Sequence, residues 1–544
     1  MSACAVTQAE KQRHYLQTGD WANETLLDYF DSAVSRDPGK TAIVAPDGVR
    51  LTYGELAEQV DRAAFGLASA GISKGDVVSL QLPNCAEFIV LHLAATRLGA
   101  ITNPLLPNYR AKELGYILKC AGTKVLVTMQ NYRGFAFDAM YADLWPNLPN
   151  LSKIYVVGGS ACEGMRPYDD ILVRKGNLSD VGHDGNDITA LIFTSGTESS
   201  PKGALHSHNT AMFSTKEMAR LLNLTSDDVV WMPSPIAHGT GFEWGVRQAI
   251  TVGGTLVLQD VWNTEDALRL IEAERCTFVL SATTFMTMLL ESPSLGSHDL
   301  SSLRIFGCAG APIPRVLGER ARRDIGCTLI GMWGMTECFV GSASAPDMPD
   351  DKLWATDGRS VKGGELAIFD KSRSSILSPG DVGELATRGP HVALGYFNDP
   401  ERTAATFRAD GWLFTNDLAV MDEDGFIRIV GRMKEVINRG GLKISVREIE
   451  DLIADLPEVD QVALVPVPDA RLGEKSCACI VLRQGQHAAL SDIVRFLEQR
   501  GLAKYKLPEF VAFVDAFPMT PSGKIQRSKL RDDILAGLID MHSS

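Results

Sequence analysis

Short β-branched runs alternate with helical segments along residues 1–431 of this 544-residue chain. Each run is bordered by Gly, Asn or Asp, which is typical of a buried strand. The segment that begins with the capping box Thr52–Glu55 carries apolar residues at helical spacing. Because strands that alternate with helices pair in parallel, this pattern predicts an α/β fold with largely parallel sheets. The strand candidates are Val77–Leu80, Val125–Thr128, Ile154–Val157 and Thr255–Leu258.

The pattern changes after Thr415. Asp422–Gly425 is typical of a hairpin turn between two short apolar runs. The segments beyond it predict a small α+β domain, with helices at Ile449–Ile453 and Leu490–Leu497. Its predicted strands are Val462–Val467 and Cys477–Leu482. We therefore predict an N-terminal domain over residues 1–431, a hinge at 432–434 and a C-terminal domain over 435–544.

Composition excludes several classes of protein. With 53 basic and 67 acidic residues the net charge is −14, which disfavours binding to nucleic acid. Ten cysteines without a C-x-x-C pair indicate neither a disulfide scaffold nor a metal clamp, so we expect a reducing cytoplasm. Residues 1–21 carry charges where a signal peptide is apolar. The most apolar candidate, Phe88–Ile101, is shorter than the ~20 residues of a membrane span, so we expect a soluble protein.

The strongest local motif is a loop rich in Ser, Thr and Gly. The apolar run Ala190–Phe193 leads into residues 194–203, which we call the phosphate loop. Its hydroxyls, unhindered backbone N–H groups and terminal Lys202 suit a polyphosphate ligand. Gly203 stands where the common P-loop has Ser or Thr, so the motif is a different one, and an ordinary turn is the alternative.

Five further blocks follow in order, and together with the phosphate loop they resemble the acyl-adenylate-forming (AMP-binding) superfamily, in its acyl-CoA synthetase or fatty-acid–CoA ligase branch. The resemblance extends from Asp28 to Leu530. It implies a large N-terminal domain of layered α/β subdomains with a small β-barrel-like part, and a small mobile α+β C-terminal domain. The blocks are Gly310–Pro312, Trp333–Glu337, Gly411–Asp417, Gly431–Ile437 and Pro518–Ile525.

The resemblance also implies a reaction. A carboxylic acid reacts with ATP to form acyl-AMP and pyrophosphate, and a thiol, usually that of coenzyme A, then displaces AMP. ATP, Mg²⁺ and coenzyme A are the implied cofactors and co-substrates. Because a carboxylate must approach an α-phosphate that is part of a polyanion, the site needs cations and aligned donors.

Residue by residue, the resemblance assigns most of the nucleotide site. Thr336 would donate to the α-phosphate, Glu337 would hold Mg²⁺, and Lys524 would bridge the carboxylate and the α-phosphate. The other residues assigned to ATP are Thr194, Ser195, Gly196, Thr197 and Lys202 for the phosphates, Gly310, Ala311, Pro312 and Trp333 for adenine, Asp417 for the ribose, Arg432 for the ribose or phosphate, and Gly334 and Met335 without a more specific role.

The acyl and coenzyme A sides are assigned in the same way. His238 would lie beside the acyl pocket, although a structural histidine is the alternative. Lys434 occupies the pivot position, and Gly440 and Gly441 belong to the coenzyme A side. The other pocket residues are Ala237, Phe242, Ala309 and Met332.

Four positions depart from the family pattern. Glu198 and Ser199 stand in the phosphate loop where Thr and Gly are usual, and a carboxylate beside a triphosphate repels it. Glu198 therefore points away, helps to hold Mg²⁺ or weakens ATP binding. Asn416 replaces the usual Gly, and Trp333 replaces the usual Tyr while keeping a ring for stacking.

The mostly apolar pocket favours a hydrophobic acid of medium chain length, or an alicyclic or aryl acid. Glu243 is the one nearby acid that could pair with the ammonium of an amino acid. No carrier segment follows Lys524, so we expect a ligase that forms a carbon–sulfur bond with free coenzyme A. The alternatives are an enzyme that loads a separate acyl-carrier protein, a luciferase-like oxygenase and a catalytically weak adenylate-binding protein. The sequence leaves open whether the protein forms a homodimer.

Overall fold

The computed structural model describes residues 8–159, 162–173, 181–194, 201–309, 315–433, 436–439, 442–519 and 525–543. The chain forms two compact units. The first consists of Met1–Leu366 and Thr387–Leu413, and the second of Ala367–Ala386 and Phe414–Ser544. This division follows packing alone, so the domains 1–431 and 435–544 and the hinge at 432–434 stay predictions.

A nine-stranded sheet forms part of the core of the first unit. Its six central strands are mutually parallel, and antiparallel strands pair with them at both edges. The central strands are almost completely buried, as expected for strands covered on both faces. The predicted strand Thr255–Leu258 is confirmed. The spatial order is Arg359–Ser360, Ser342–Ala343, Thr328–Trp333, Ile305–Ala309, Phe278–Ser281, Val229–Met232, Thr255–Leu258, Thr41–Val44 and Arg50–Thr52.

A seven-stranded sheet lies in the same unit. All of its pairings are parallel except the one between the two strands that border the phosphate loop. The other three predicted strands are confirmed within one residue of their expected bounds. The spatial order is Lys202–Ser207, Ile188–Thr194, Ile101–Pro104, Val77–Gln81, Val125–Met129, Lys153–Val157 and Arg166–Pro167.

Several helices of the first unit begin at a side-chain N-cap, as at Thr52, Ser207 and Asn263. The capping box at Thr52 and Glu55 is formed, and the helix after it buries the predicted apolar stripe. Helix Ala86–Arg97 is buried on almost all sides, which explains its apolar composition. None of the described helices is long and apolar enough to cross a membrane. The α-helices are Gln8–Thr18, Leu26–Arg36, Tyr53–Ser69, Ala86–Arg97, Ala111–Ala121, Phe137–Leu144, His208–Leu222, Gly239–Gly241, Gln248–Val252, Thr264–Ala273, Thr283–Leu290, Arg315–Asp324, Asp350–Ala355 and Pro400–Thr406, with a π-helical turn at Phe242–Arg247.

The second unit contains most of a four-stranded sheet, in the order Glu365–Phe369, Val382–Arg388, Leu413–Met421 and Ile427–Arg432. The last two strands form the predicted hairpin. Asp422 donates its backbone N–H to the carbonyl of Phe426 across the turn, and Gly425 has a φ of 80°.

A six-stranded sheet with three helices completes this unit and confirms the predicted α+β pattern. Cys477 and Cys479 are buried within the predicted strand Cys477–Leu482. The strands are Leu442–Ser445, Val436–Arg439, Gly473–Leu482, Phe510–Phe513 and His542–Ser543, with Val459–Asp469 also paired to Gly473–Leu482. The helices are Val446–Ile453, Leu490–Gln499 and Arg527–Leu535.

Candidate active site

The Trp333–Glu337 block follows the carboxyl end of a central strand in the nine-stranded sheet. Ligands of parallel α/β sheets bind at this edge. In the neighbouring strand, Ala309 is the register partner of Met332. Two predicted acyl-pocket residues are therefore brought together at the end of the sheet where the block begins.

The turn within this block is held by hydrogen bonds from other segments. The Thr336 carbonyl accepts from Nε2 of His206 at 2.7 Å, and the Glu337 carbonyl accepts from the Ala393 backbone N–H at 2.8 Å. His206 stacks on Phe339 with 4.0 Å between ring centres. Burial lowers the pKa of His206 to about 4, so its imidazole is neutral at physiological pH. Sequence reasoning assigned His206 no role, and the structure makes it a support for Thr336.

Lys202, Glu337 and Tyr396 form a connected cluster, which we call the lysine triad. The Lys202 ammonium lies 3.0 Å from Oε1 of Glu337 and donates to the Tyr396 hydroxyl at 2.5 Å. The Tyr396 hydroxyl donates to the same Glu337 oxygen at 2.6 Å. Burial and the adjacent Glu337 carboxylate raise the pKa of Tyr396, so it remains a neutral donor. The phosphate-loop lysine and the predicted metal ligand thus meet.

Tyr396 reaches this position because residues 394–397 run beside the strand Lys202–Ser207. The Leu205 N–H donates to the Gly395 carbonyl at 3.0 Å, and the Phe397 N–H donates to the Gly203 carbonyl at 2.8 Å. Sequence reasoning missed Tyr396. A tyrosine beside a glycine in a loop carries no local sign of such a contact.

The two ends of the phosphate loop are held together by pairing of the strands that border it. Thr194 and Lys202 are register partners, and the Thr194 hydroxyl lies 3.5 Å from the Lys202 carbonyl oxygen. This pairing fixes where the loop leaves and rejoins the sheet. Four loop residues with predicted or open roles lie outside the described residues, and their roles stay predictions: Ser195, Gly196, Thr197 and Glu198.

Two glycines allow close packing around Trp333. A Cβ at Gly341 would lie 2.2 Å from Cζ3 of the Trp333 ring, and a Cβ at Gly334 would lie 1.8 Å from the Phe339 carbonyl oxygen. Trp333 is 7% exposed. The glycines therefore fix the ring against the chain, whereas its stacking on adenine stays a prediction. The other predicted adenine residues, Gly310, Ala311 and Pro312, lie outside the described residues.

His238 begins the helical segment on the acyl side. Its Nδ1 accepts from the Thr240 backbone N–H at 3.2 Å, so the imidazole caps the helix. A Cβ at Gly239 would lie 3.7 Å from Oγ1 of Thr336, which places the start of this segment beside the predicted α-phosphate contact. The structure shows the capping role, and a role of His238 toward the substrate stays a prediction. Ala237 and Phe242 are buried.

Asp417 and Arg432 lie in the second unit. They are register partners in neighbouring strands, and Nε of Arg432 lies 3.1 Å from Oδ1 of Asp417. Asn416 has a φ of 60°, in the left-handed region where Gly is favoured and Asn is the best tolerated replacement. This explains the departure at position 416. Four predicted residues lie outside the described ones: Lys434, Gly440, Gly441 and Lys524.

Glu337 offers the hard carboxylate oxygen that Mg²⁺ prefers. Within the described residues, no group of three or more His, Cys, Asp or Glu side chains could hold a metal ion. A single carboxylate suits Mg²⁺ that arrives with a nucleotide, because Mg²⁺ commonly takes its other ligands from phosphates and water. The residues present therefore fit a nucleotide-borne Mg²⁺.

The chain matches known proteins over nearly its whole length. The model of the AMP-binding enzyme family matches residues 30–397, and that of the AMP-binding enzyme C-terminal domain matches residues 448–524. A medium-chain fatty-acid–CoA ligase of Escherichia coli (strain K12) is 36% identical over 532 residues, which are 97% of this chain and 94% of that protein.

Two further relatives are named for ring acids. The 2,3-dihydroxybenzoate-AMP ligase of Bacillus subtilis (strain 168) is 32% identical over 96% of each chain. The crystal structure of the anthranilate CoA ligase AuaEII in complex with anthranoyl-AMP has a TM-score of 0.86 and 26% identity, and the match covers 95% of this chain and 98% of that one. These matches confirm the mixed α/β fold with a large N-terminal and a small C-terminal domain.

Proposed function

The chain belongs to the AMP-binding enzyme family, and we propose that it is an ATP-dependent acid–thiol ligase that transfers an activated acyl group to coenzyme A. The observation that carries this proposal is the lysine triad, which joins the phosphate-loop lysine to the acid of the Trp333–Glu337 block. Lys202 and Glu337 carry opposite charges and pair with each other. A bound Mg²⁺-nucleotide would separate them, because Lys202 would then pair with the phosphates and Glu337 with the metal ion.

The proposed chemistry has two steps. A carboxylate oxygen of the acid attacks the α-phosphorus of ATP, and the bond from that phosphorus to the bridging oxygen breaks to release pyrophosphate. The sulfur of coenzyme A then attacks the acyl carbon, its proton passes to water, and the carbon–oxygen bond to AMP breaks, so that AMP leaves. Mg²⁺, when bound, would neutralise charge on the phosphates.

The residues of this chain supply the positive charge and alignment that the first step needs. Thr336, whose carbonyl is fixed by His206, would present its hydroxyl to the α-phosphate. Lys202 would hold the outer phosphates, and Lys524 would bridge the two reacting anions. Asp417 would accept hydrogen bonds from the ribose hydroxyls, with Arg432 beside it. Lys434 is the proposed pivot, and Gly440 and Gly441 are the proposed coenzyme A side.

For the acid itself we propose a largely hydrophobic molecule of medium size, either a medium-chain, an alicyclic or an aryl acid. Ala237, Phe242 and Met332 are apolar and almost completely buried. The names of the relatives support the same substrate class, since they specify medium-chain fatty acids and ring acids such as anthranilate.

A panel of carboxylic acids tests this proposal through pyrophosphate release with ATP and Mg²⁺, measured with and without coenzyme A. We expect release with medium-sized apolar acids and matching consumption of coenzyme A. In the same assay Lys524→Ala should slow pyrophosphate release by about 10²–10³-fold, while thioester formation from supplied acyl-AMP is largely kept. Absence of release with every acid would contradict the proposal.

A second candidate is an enzyme that adenylates its acid and passes it to a separate carrier protein. It is favoured by the relative named as an AMP ligase rather than a CoA ligase. Pyrophosphate release that never leads to consumption of coenzyme A, with any acid, would support this candidate instead.

A further inference from the structure

A buried ion pair lies on the helical segment that begins at His238. Glu243 and Arg247 are four residues apart, both side chains are 0% exposed, and Nε of Arg247 lies 3.3 Å from Oε2 of Glu243. The pair spans the π-helical turn Phe242–Arg247. Such turns occur frequently at functional sites, because they displace side chains from regular helical spacing.

The hydrogen-bonding capacity of this pair is largely unused within the described part of the chain. Neither carboxylate oxygen of Glu243 accepts a hydrogen bond, and Nε and Nη2 of Arg247 donate none. Toward the described residues, Arg247 donates from Nη1, to the Thr189 hydroxyl at 3.4 Å. Both amide atoms of the adjacent, fully buried Gln248 are also without a hydrogen bond. Charges buried in this way are costly unless hydrogen bonds complete them, so the cluster calls for a further partner.

The charges around the pair define what that partner can be. His92 and His208 lie near Arg247, and burial lowers the pKa of both well below the ordinary value, so they are neutral. Burial raises the pKa of Glu243 to about 8, and the attraction of Arg247 opposes this shift. When the Glu243 carboxylate is ionised it balances the charge of Arg247, and a charged partner would then leave one buried charge uncompensated.

The position of the pair relates it to the acid substrate. The Cβ position of Gly239 is 3.7 Å from Oγ1 of Thr336, where the proposed reaction takes place. Glu243 and Arg247 follow Gly239 by one and two turns, about 6 and 12 Å along a helix. The guanidinium carbon of Arg247 also lies 5.8 Å from the ring centre of Phe242, a proposed pocket residue. The pair would therefore lie at the end of a medium-sized acid remote from its carboxylate, if the carboxylate binds beside Thr336.

We propose that Glu243 and Arg247 bind a neutral hydroxyl group of the acid substrate, at the end remote from its carboxylate. A hydroxyl donates to the Glu243 carboxylate and accepts from an N–H of Arg247, so it uses the free capacity on both sides. It also leaves the charge balance of the pair unchanged. This inference rests on the proposed ligase function and adds a polar requirement to its otherwise apolar substrate.

Matched acids test the proposal. Pyrophosphate release is measured as kcat/KM for benzoate against para-hydroxybenzoate, and for hexanoate against ω-hydroxyhexanoate, ω-aminohexanoate and adipate. We expect a hydroxylated acid to exceed its parent by about tenfold or more, and the two charged acids to fall below hexanoate. In the double variant Glu243→Leu with Arg247→Met, the hydroxyl preference should disappear. The KM for ATP and the melting temperature of that variant report whether its fold and nucleotide site are intact.

The outcomes are distinguishable. Parent acids that equal or exceed their hydroxylated counterparts, with pyrophosphate still released, would overturn this inference and leave the proposed function standing. No release with any acid would overturn both. If the double variant does not fold, Glu243→Met, which removes both acceptor oxygens, takes its place, and an unchanged hydroxyl preference in a folded Glu243→Met would show that the pair is structural.

Discussion

The lysine triad and the Glu243–Arg247 pair both place a cation close to a carboxylate, at 3.0 and 3.3 Å, yet they are built in opposite ways. The triad joins three segments that are distant in the chain, and the Tyr396 hydroxyl is hydrogen-bonded to both charged groups. The pair lies within one helical segment, and its charged groups do not hydrogen-bond to each other.

This difference shows what each cluster is suited to do. Lys202 is 27% exposed, so its ammonium can leave Glu337 for an incoming phosphate while water still solvates it. Both side chains of the Glu243–Arg247 pair are fully buried, so only a group that enters the interior of the fold can hydrogen-bond to them. We therefore propose that the triad exchanges its partners on nucleotide binding, whereas the pair stays fixed and keeps unused hydrogen-bonding capacity toward the described residues.

Glu337→Gln tests the triad and has the largest expected effect. The substitution keeps the shape of the side chain but removes the charge that we propose meets Mg²⁺ and Lys202. We expect ATP–pyrophosphate exchange to slow by about 10²–10³-fold, equivalent to about 2.7–4 kcal/mol. Glu217→Gln is the matched control, because Glu217 is also buried and paired to an arginine, Arg220 at 2.6 Å. Equal losses in the two variants would mean that Glu337 serves stability alone.

Tyr396→Phe removes only the hydroxyl that links the two charges of the triad. A hydrogen bond to a charged group contributes about 1.5–3 kcal/mol, so kcat/KM for ATP should fall by about 10- to 100-fold. Tyr141→Phe is the control, since the buried Tyr141 hydroxyl donates to Gln81 at 2.5 Å and has no proposed role. An unchanged kcat/KM in Tyr396→Phe would show that the triad is complete without its hydroxyl.

Glu243→Gln tests the pair through the pH dependence of stability, which is the smallest of these effects. The folded-state pKa of Glu243, about 8, is above the ordinary value of 4.5. Its contribution to stability is therefore fully present below pH 4.5 and is lost as the pH rises to about 8. Relative to the unmodified protein, the variant should gain free energy of unfolding across this window.

Chemical denaturation of both proteins at several pH values between 4.5 and 8 measures this difference. The buried histidines contribute equally to both curves, so the comparison isolates Glu243. Parallel curves would mean that Glu243 is ionised throughout and that the attraction of Arg247 outweighs burial.

Much of the fold could be predicted from the sequence because the signals are local. The capping box at Thr52 and the turn at Asp422–Gly425 lie where the pattern predicts them, since each depends on a few adjacent residues. The sequence also showed that Asn416 stands where the family usually has Gly. It did not show why, because only the structure reveals the positive φ of the chain at this position.

By itself the sequence determined the alternating helices and strands, the order of the blocks that match the AMP-binding enzyme family and the apolar character of the predicted acyl pocket. Only the tertiary structure decided that Tyr396 would join Glu337 and Lys202, which are 59 and 194 residues away. It also decided that Glu243 and Arg247 would be sealed from water rather than form an ordinary exposed i,i+4 pair. Local periodicity follows from backbone geometry, whereas such contacts depend on how the sheets and loops pack around each side chain.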